Sequence, residues 1–312
     1  MIKVIDIERR ENRTLSGKHS GQAPTRSLTI ALPARWHTYP GRFHWATEHG
    51  FALEYSPTPE AFDLLPKHID PFLKAGIPVR YHGFFPGYEI GHHDSAIAER
   101  AMRIHMAALE AIRGRGEPVI TFHVGLHRED PIDPGRVTEN LWRLVERARG
   151  LGITVCLENL LRGPTSHPEN VAAWARASGA MITLDIGHAV SCQRVQSGEL
   201  TALDFLEMVA DRLFEVHIYE RETDRHHPPQ DMTILGPIVD RLLTTQCTWW
   251  TIELDDYAEA LAARALLLDY LQLPLNVKVS SPQAVYEPGE QVGLDLRFED
   301  MHLFRHDGPE DG

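Results

Sequence analysis

The stretch Met181–His188 reads MITLDIGH, with four apolar or β-branched residues leading directly into Asp185 and with His188 three positions later. A short apolar run of this kind is typical of a strand that is buried on both faces of a parallel sheet. Since an unpaired buried carboxylate is costly, Asp185 must meet a cation, a hydrogen-bond network or solvent. Aspartate and histidine are ligands that divalent Zn, Mn and Fe accept. An aspartate that caps the next helical turn is the alternative.

Apolar runs that end in polar residues recur along the chain and predict eight strands. The strands are Ser27–Pro33, Phe51–Ser56, Val79–Phe84, Val119–Val124, Thr154–Leu160, Met181–His188, Leu213–Tyr219 and Trp249–Leu254. Apolar residues at three- and four-residue spacing predict helices between them. These helices are Pro59–Ala75, Ser95–Arg113, Arg136–Arg149, Pro168–Ser178, Glu199–Asp211, Ile234–Thr245 and Tyr257–Leu271. The segment Arg35–Gly50 is short and rich in aromatic residues, so we expect its helix to be stunted.

Strands that alternate with helices favour a parallel sheet with right-handed crossovers, and eight such units predict an α/β fold, the closed (β/α)8 TIM barrel. An open doubly wound sheet is the alternative, but no GxGxxG motif follows the first strand. We therefore divide the chain into a lead-in at 1–26, a barrel at 27–272 and a small β appendage at 273–312. In the appendage, Leu275–Ser280 and Gln291–Phe298 flank a turn at Pro288–Gly289 and predict a hairpin.

Composition narrows the classes of function. The formal net charge of -13 is opposite to the basic face of nucleic-acid-binding proteins, so we do not expect nucleic acid as a partner. The cysteines, Cys156, Cys192 and Cys247, form no CxxC pair, and their odd number argues against a disulfide framework and favours a reduced, cytoplasmic protein. No uncharged apolar segment reaches the ~18 residues of a membrane span. We expect no membrane partner.

Histidines and carboxylates stand at the C-terminal ends of the predicted strands, where a barrel of this kind opens its active-site mouth. They are His82, His123, Glu158, Asp185, His188, His217 and Glu253, and the polar loop after the seventh strand adds Asp224 and His226. Taken singly, a histidine in an apolar strand is more often a hydrogen-bonded core residue, and an aspartate in a polar loop is more often solvated. These explanations of single residues do not account for ligand-type residues at the ends of several successive strands. As a set, these residues predict a metal site.

Seven short fragments carry these residues in a fixed order: YHGFF, ITFHVG, CLEN, LDIGH, EVHIY, DRHH and IELD. In that order they resemble the xylose-isomerase-like TIM-barrel superfamily, in particular its endonuclease IV type, from about Ser27 to Leu271. The resemblance implies a site for three metal ions. The implied ligand sets are His82, His123 and Glu158 for the first ion, a bridging Glu158 with Asp185, His217 and Glu253 for the second, and His188, Asp224 and His226 for the third.

The resemblance leaves more than one activity open. The leading interpretation is a metal-dependent hydrolase, a phosphoesterase that uses two or three divalent ions (Zn, Mn or Fe) on a small sugar-phosphate or nucleotide-like substrate. The alternative is a single-metal isomerase or epimerase of a sugar or sugar phosphate, with Glu158 and Glu253 as acid and base. Such an enzyme needs only the second ligand set, so the complete set favours the hydrolase. A barrel that binds a ligand without turnover is the third alternative.

Substrate contacts are expected from the loops that follow the third, fourth and fifth strands. The candidates are Phe85, Arg128 and Arg162. The phenylalanine, in a loop that also carries Phe84 and Tyr88, is placed to stack on a sugar or a base, although packing against the neighbouring loop explains it equally well. The two arginines are candidates for clamping a phosphate.

Overall fold

The computed structural model describes residues 5–7, 26–127, 131–271, 292–297 and 300–305. The chain divides into two compact units, Met1–Asn276 and Val277–Gly312. The finer bounds that the sequence suggested, at residues 26 and 272, stay a prediction. Within the described ranges, no helix combines the length and the apolar composition that crossing a bilayer requires.

Eight parallel strands close on themselves in the first unit, which confirms the predicted TIM barrel. They are β2 (Arg26–Arg35), β3 (Ala52–Ser56), β4 (Val79–Gly83), β5 (Val119–Phe122), β6 (Thr154–Glu158), β7 (Met181–Asp185), β8 (Leu213–Ile218) and β11 (Trp249–Ile252). The ring closes at β2, where Thr29 pairs with Trp249 of β11 and Ala31 pairs with Ala52 of β3. The short strands beside the barrel are β1 (Ile5–Ile7), antiparallel to β2, and the antiparallel pair β9 (Arg221–Glu222) and β10 (His226–His227).

Helices connect the barrel strands. They are α1 (Tyr39–His49), α2 (Leu65–Lys74), α3 (Ser95–Ile112), α4 (Pro134–Gly150), α5 (Pro168–Ser178), α6 (Ile186–Ser191), α7 (Gln193–Gln196), α8 (Ala202–Val209), α9 (Leu235–Leu242) and α10 (Tyr257–Tyr270), with 3-10 turns at Pro59–Leu64 and Pro164–Ser166. Asp94, Asp133 and Asp256 cap α3, α4 and α10 by accepting hydrogen bonds from backbone N–H groups of the first turn. Gly179 ends α5 in the left-handed conformation, with φ 83°.

The helix after the first barrel strand is longer than the sequence suggested. Helix α1 runs for 11 residues and ends at Gly50, which adopts the left-handed conformation. Its aromatic residues pack on neighbouring helices, with the Phe43 ring 5.1 Å from Phe72 and the Trp45 ring stacked 4.0 Å from Tyr257. The aromatic content that we read as a sign of a stunted helix is therefore its packing surface.

The hairpin of the second unit contains one of the two expected strands, paired with a segment that follows it in the chain. β12 (Val292–Arg297) pairs antiparallel with β13 (Asp300–Arg305). The partner of the predicted strand at 291–298 therefore follows it in the chain, because the short alternating run after residue 299 is itself a strand. The predicted strand Leu275–Ser280 and the turn Pro288–Gly289 lie outside the described residues.

The inner face of the barrel carries a layer of polar residues, beside a small apolar cluster of Ala31, Ala52 and Trp249. Because alternate strand residues point to the same side, each ligand-type residue shares its face with the residue two positions earlier. These inward pairs are Arg80 and His82, Thr121 and His123, Cys156 and Glu158, Thr183 and Asp185, Glu215 and His217, and Thr251 and Glu253. Across the barrel, Thr121 Oγ1 lies 2.6 Å from Thr183 Oγ1, and Arg80 Nη1 lies 3.7 Å from Glu215 Oε2. The large hydrophobic core instead joins outward strand residues such as Leu53 to the helices.

The cap of α4 provides a test of the helical layer. Asp133 Oδ1 accepts hydrogen bonds from the N–H groups of Gly135 at 2.9 Å and Arg136 at 3.1 Å. Asp133→Ala leaves both donors without this acceptor, and we expect it to lower the free energy of unfolding by about 1 kcal/mol, measured as a lower urea midpoint in circular dichroism. Asp133→Asn keeps a capping oxygen and should stay close to the wild type. Equal midpoints for the two variants would contradict the capping role.

Candidate metal centre

Glu158, at the end of β6, presents one carboxylate oxygen to two histidines. Its Oε2 lies 3.0 Å from His82 Nε2 and 3.0 Å from His123 Nε2. The two histidine Nε2 atoms are 3.2 Å apart. All three side chains are buried. We call them the first group; they offer one oxygen and two nitrogens to a cation.

The other oxygen of Glu158, Oε1, belongs to a second group of side chains. The members of the second group are Glu158, Asp185, His217 and Glu253. His217 Nδ1 lies 3.4 Å from Glu158 Oε1 and 3.1 Å from Glu253 Oε2. It lies 3.8 Å from Asp185 Oδ2, since the two residues are paired across β7 and β8. Glu158 therefore spans the first and second groups through different oxygens, as the predicted bridging role requires.

The third group consists of His188, Glu222 and His226. Pairing of β9 with β10 sets Glu222 opposite His226, and Glu222 Oε2 lies 2.7 Å from His188 Nε2 and 3.8 Å from His226 Nε2. His188 Nδ1 lies 3.0 Å from the carbonyl oxygen of Asn159, and His226 Nδ1 lies 2.8 Å from that of Glu253. An Nδ1–H that donates to a carbonyl leaves Nε2 free to act as the ligand atom.

The structure does not bring Asp224 to the third group, although the sequence placed it there. Its side chain is 87% exposed and contacts Thr223 and His227 instead. Asp224 follows β9 and precedes β10, in the turn of the hairpin, whereas Glu222 sits within β9 directly across from His226. Glu222, four residues before His226, therefore faces that histidine. Asp224, two residues before it, does not.

The charges of these groups fit divalent metal ions. Among the described residues, every ion-pair partner of Glu158, Asp185 and Glu253 is a histidine. Two buried atoms of the second group, Asp185 Oδ2 and His217 Nδ1, have no hydrogen-bond partner there. Buried carboxylates without a cation are costly. Carboxylate oxygens and imidazole nitrogens are ligands for Zn, Mn or Fe, so the residues present fit such an ion.

The pKa shifts reflect the same excess of negative charge. Burial raises the pKa of Asp185 to about 6, and the carboxylates of Glu253 and Glu158 add to the effect. Burial lowers the pKa of His188, but Asp185 and Glu222 outweigh it and bring that pKa to about 10. Both shifts favour the protonated form of the group, as expected where buried carboxylates are crowded together.

Known proteins share the sequence pattern of this chain. The family profile described as "Xylose isomerase-like TIM barrel" matches residues 49–271. The chain belongs to that family. An uncharacterized protein of Methanocaldococcus jannaschii is 37% identical to it over 166 residues, which are 53% of this chain and 71% of that protein. The resemblance inferred from the seven fragments is therefore confirmed.

Solved structures share the fold of this xylose isomerase-like barrel at low sequence identity. The 3-keto-D-glucoside 4-epimerase of E. coli is 17% identical, with a TM-score of 0.59 over 78% of this chain and 99% of that chain. Endonuclease IV from Thermus thermophilus is 15% identical, with a TM-score of 0.55 over 78% of this chain and 99% of that chain. At such identities the likeness shows the fold alone, and the reaction must be argued from the site.

The predicted stacking residue Phe85 does not face the mouth of the barrel. Its side chain is 1% exposed and packs in the core, with ring centroids 5.8 Å from Phe62 and 6.0 Å from Phe122. The structure thus shows Phe85 in packing contacts, the alternative to stacking on a substrate. Phe84, one residue earlier, is 46% exposed, and its ring lies 5.8 Å from His123 of the first group.

An open cleft of about 870 Å³ adjoins the third group and holds one of the two predicted clamps. It is lined by polar residues of the loop after β6, of the α6–α7 region and of β9, among them Arg162, Ser166, Asn170, Gln193 and Glu222. Within the described part of the chain, the guanidinium of Arg162 makes no hydrogen bond or ion pair. The other clamp, Arg128, lies outside the described residues.

Sequence reasoning missed Glu222, Tyr219 and Glu54. Tyr219 stacks on His226, with ring centroids 4.0 Å apart and planes 8° apart. Glu54 Oε1 lies 3.1 Å from His217 Nε2. Glu54 carried a signal, because a carboxylate in the middle of the apolar run FALEYS needs a buried partner. Glu222 and Tyr219 carried none that distinguishes them from neighbouring loop residues.

Gly187 lies directly against Tyr219, whose ring stacks on His226 of the third group. A substitution at Gly187 therefore tests that group. A Cβ at this position would lie 2.0 Å from Tyr219 Cε2, so Gly187→Ala must displace the ring that stacks on His226. We expect elemental analysis of the wild type to find two or three divalent ions per chain, and one fewer in Gly187→Ala. Gly41→Ala is the matched control, because a Cβ there meets nothing within 4 Å. An unchanged metal content in Gly187→Ala would show that the third group holds no ion.

Proposed function

We propose that the protein is a metal-dependent phosphoesterase that acts on a small sugar-phosphate or nucleotide-like substrate. The observation that supports this most is the continuity of the three ligand groups. Glu158 joins the first group to the second, and Asp185 Oδ2 lies 3.3 Å from His188 Nδ1, between the second group and the third. An isomerase that transfers a proton needs one ion and two carboxylates. The first and third groups exceed that need.

Each group would hold one ion. His82, His123 and Glu158 would hold the first, Glu158, Asp185, His217 and Glu253 the second, and His188, Glu222 and His226 the third. Bound divalent ions polarise phosphoryl oxygens and activate water for attack. The chain itself orients the ligands, since backbone carbonyls fix the rings of His188 and His226.

The cleft beside the third group supports a phosphorylated substrate. Arg162 stands in a loop that is tied down at two points: Thr165 Oγ1 donates to the carbonyl of Val124 at 2.9 Å, and Asn170 Nδ2 donates to that of Pro164 at 2.9 Å. A guanidinium without a partner among the described residues, on an anchored loop at the edge of a metal site, is suited to bind a phosphate through paired hydrogen bonds.

A sugar or sugar-phosphate isomerase or epimerase is the second candidate, and one observation favours it. Glu158 Oε1 and Glu253 Oε2 lie 3.4 Å and 3.1 Å from the same atom, His217 Nδ1. Two carboxylates at one metal position could serve as the acid and base of a proton transfer. The two reactions differ in whether the first and third groups are needed.

Variants of those groups separate the two reactions. For a phosphoesterase, phosphate release from a panel of sugar phosphates and nucleotides should fall at least about 10-fold in kcat in His82→Gln and His226→Gln, because each loses a ligand. His93→Gln, an exposed histidine outside the groups, should retain full activity. Incorporation of solvent deuterium into a sugar, without phosphate release and undiminished in both variants, would establish the isomerase instead.

Arg162→Gln tests the phosphate contact. Loss of a charge-assisted hydrogen-bond pair worth about 2 kcal/mol should raise KM for a phosphorylated substrate on the order of 30-fold. Inhibition by the dephosphorylated product should stay unchanged. Arg35→Gln removes the same charge from an exposed position at the end of β2 and is the control. A KM for Arg162→Gln equal to that of the control would place the phosphate elsewhere.

A further inference from the structure

Glu54 is a buried carboxylate in the middle of β3, and only 1% of its surface is exposed. Its Oε1 lies 3.1 Å from Nε2 of His217, which is itself fully buried. β3 and β8 are not neighbours in the sheet, so this contact crosses the barrel interior. A carboxylate in such a place requires a hydrogen-bond donor or a cation, and His217 supplies the donor.

This contact selects which nitrogen of His217 faces the second group. A neutral imidazole carries one proton, so an Nε2–H that donates to Glu54 leaves Nδ1 as a lone pair. Nδ1 is the atom that lies 3.1 Å from Glu253 Oε2 and has no hydrogen-bond partner among the described residues. His188 and His226 have the opposite arrangement, because backbone carbonyls hold their Nδ1 atoms.

A second buried carboxylate nearby does not make this contact. Glu215 lies in the same cluster as Glu54 and His217, with ligand-type atoms all within 4.8 Å of one another. Its ion pair, however, is with Arg80, whose Nη1 lies 3.7 Å from Glu215 Oε2. Arg80 also donates to Glu117 at 2.9 Å. The ion-pair partner of Glu215 is therefore Arg80, whereas that of Glu54 is His217.

We propose that Glu54 is a positioning residue that holds His217 in the Nε2–H tautomer, so that Nδ1 is presented as a ligand to the ion of the second group. A carboxylate that accepts the far N–H of a ligating histidine fixes the orientation of the ring and increases its basicity toward the metal. The inference rests on the metal-binding part of the proposed function, and it applies equally to the phosphoesterase and to the isomerase.

Metal affinity of the whole 312-residue chain tests this role. Zn²⁺ titration of metal-free protein in competition with a chromophoric chelator should show one site weakened about 10- to 100-fold in Glu54→Gln, with the other sites unchanged. Glu54→Asp, which withdraws the carboxylate by one methylene, should weaken the same site and is the second variant if Glu54→Gln does not fold. Glu215→Gln is the matched control, and its affinities should equal those of the wild type.

The tautomer gives a readout independent of activity and of metal. Two-bond ¹H–¹⁵N spectra of metal-free, histidine-labelled protein, assigned with His217→Asn and recorded up to a pH at which the ring is neutral, should show that His217 keeps its proton on Nε2 in the wild type and forms a tautomer mixture in Glu54→Gln. Unchanged affinity in Glu54→Gln, or an equal loss in Glu215→Gln, would overturn the inference. So would an Nδ1–H tautomer in the wild type. A wild-type protein that binds no divalent ion would instead overturn the proposed function, while the spectra would still decide the contact with Glu54.

Discussion

The concentration of negative charge around His217 is the constraint on which the rest of the structure depends. Glu158, Glu253 and Glu54 each place an oxygen within 3.4 Å of its ring nitrogens, and Asp185 Oδ2 lies 3.8 Å away. Carboxylates this close repel one another unless cations or donors compensate them. Each acid stands on a different strand or, for Glu253, directly after one, so only closure of the barrel brings them together.

The barrel separates the parts that stabilise it from the parts that react. Outward strand residues and helices share one extensive hydrophobic core, whose burial is the main favourable term in folding. The inward face instead carries a polar layer below the metal groups, with Thr121 bonded to Thr183 and Arg80 paired with Glu215. Substitution of the inner residues can therefore change chemistry while the outer core maintains the fold, which suits a family that includes enzymes of different reaction classes.

The reaction of this chain is decided by what surrounds the second group. That group alone is sufficient for proton transfer between two carboxylates, as an epimerase requires. The hairpin of β9 and β10 adds Glu222 and His226 on one side, and β4 and β5 add His82 and His123 on the other. Arg162 and Glu222 both line the adjoining cleft. The added ligand groups support the proposed phosphoesterase, whereas Arg162 suits any phosphorylated substrate, a sugar phosphate included.

The sequence by itself determined the barrel and most of the candidate ligands that the structure brings together. Strand and helix periodicities are local properties, and most of the ligand-type residues end an apolar run that can be recognised alone. The sequence could not determine which residues face one another across turns or across the barrel. Glu222 replaces Asp224 because of hairpin register, and Phe85 is buried because its loop folds onto Phe62 and Phe122. Glu54 reaches His217 over 163 positions of sequence. Such contacts arise only when the barrel closes, so the tertiary structure decided them.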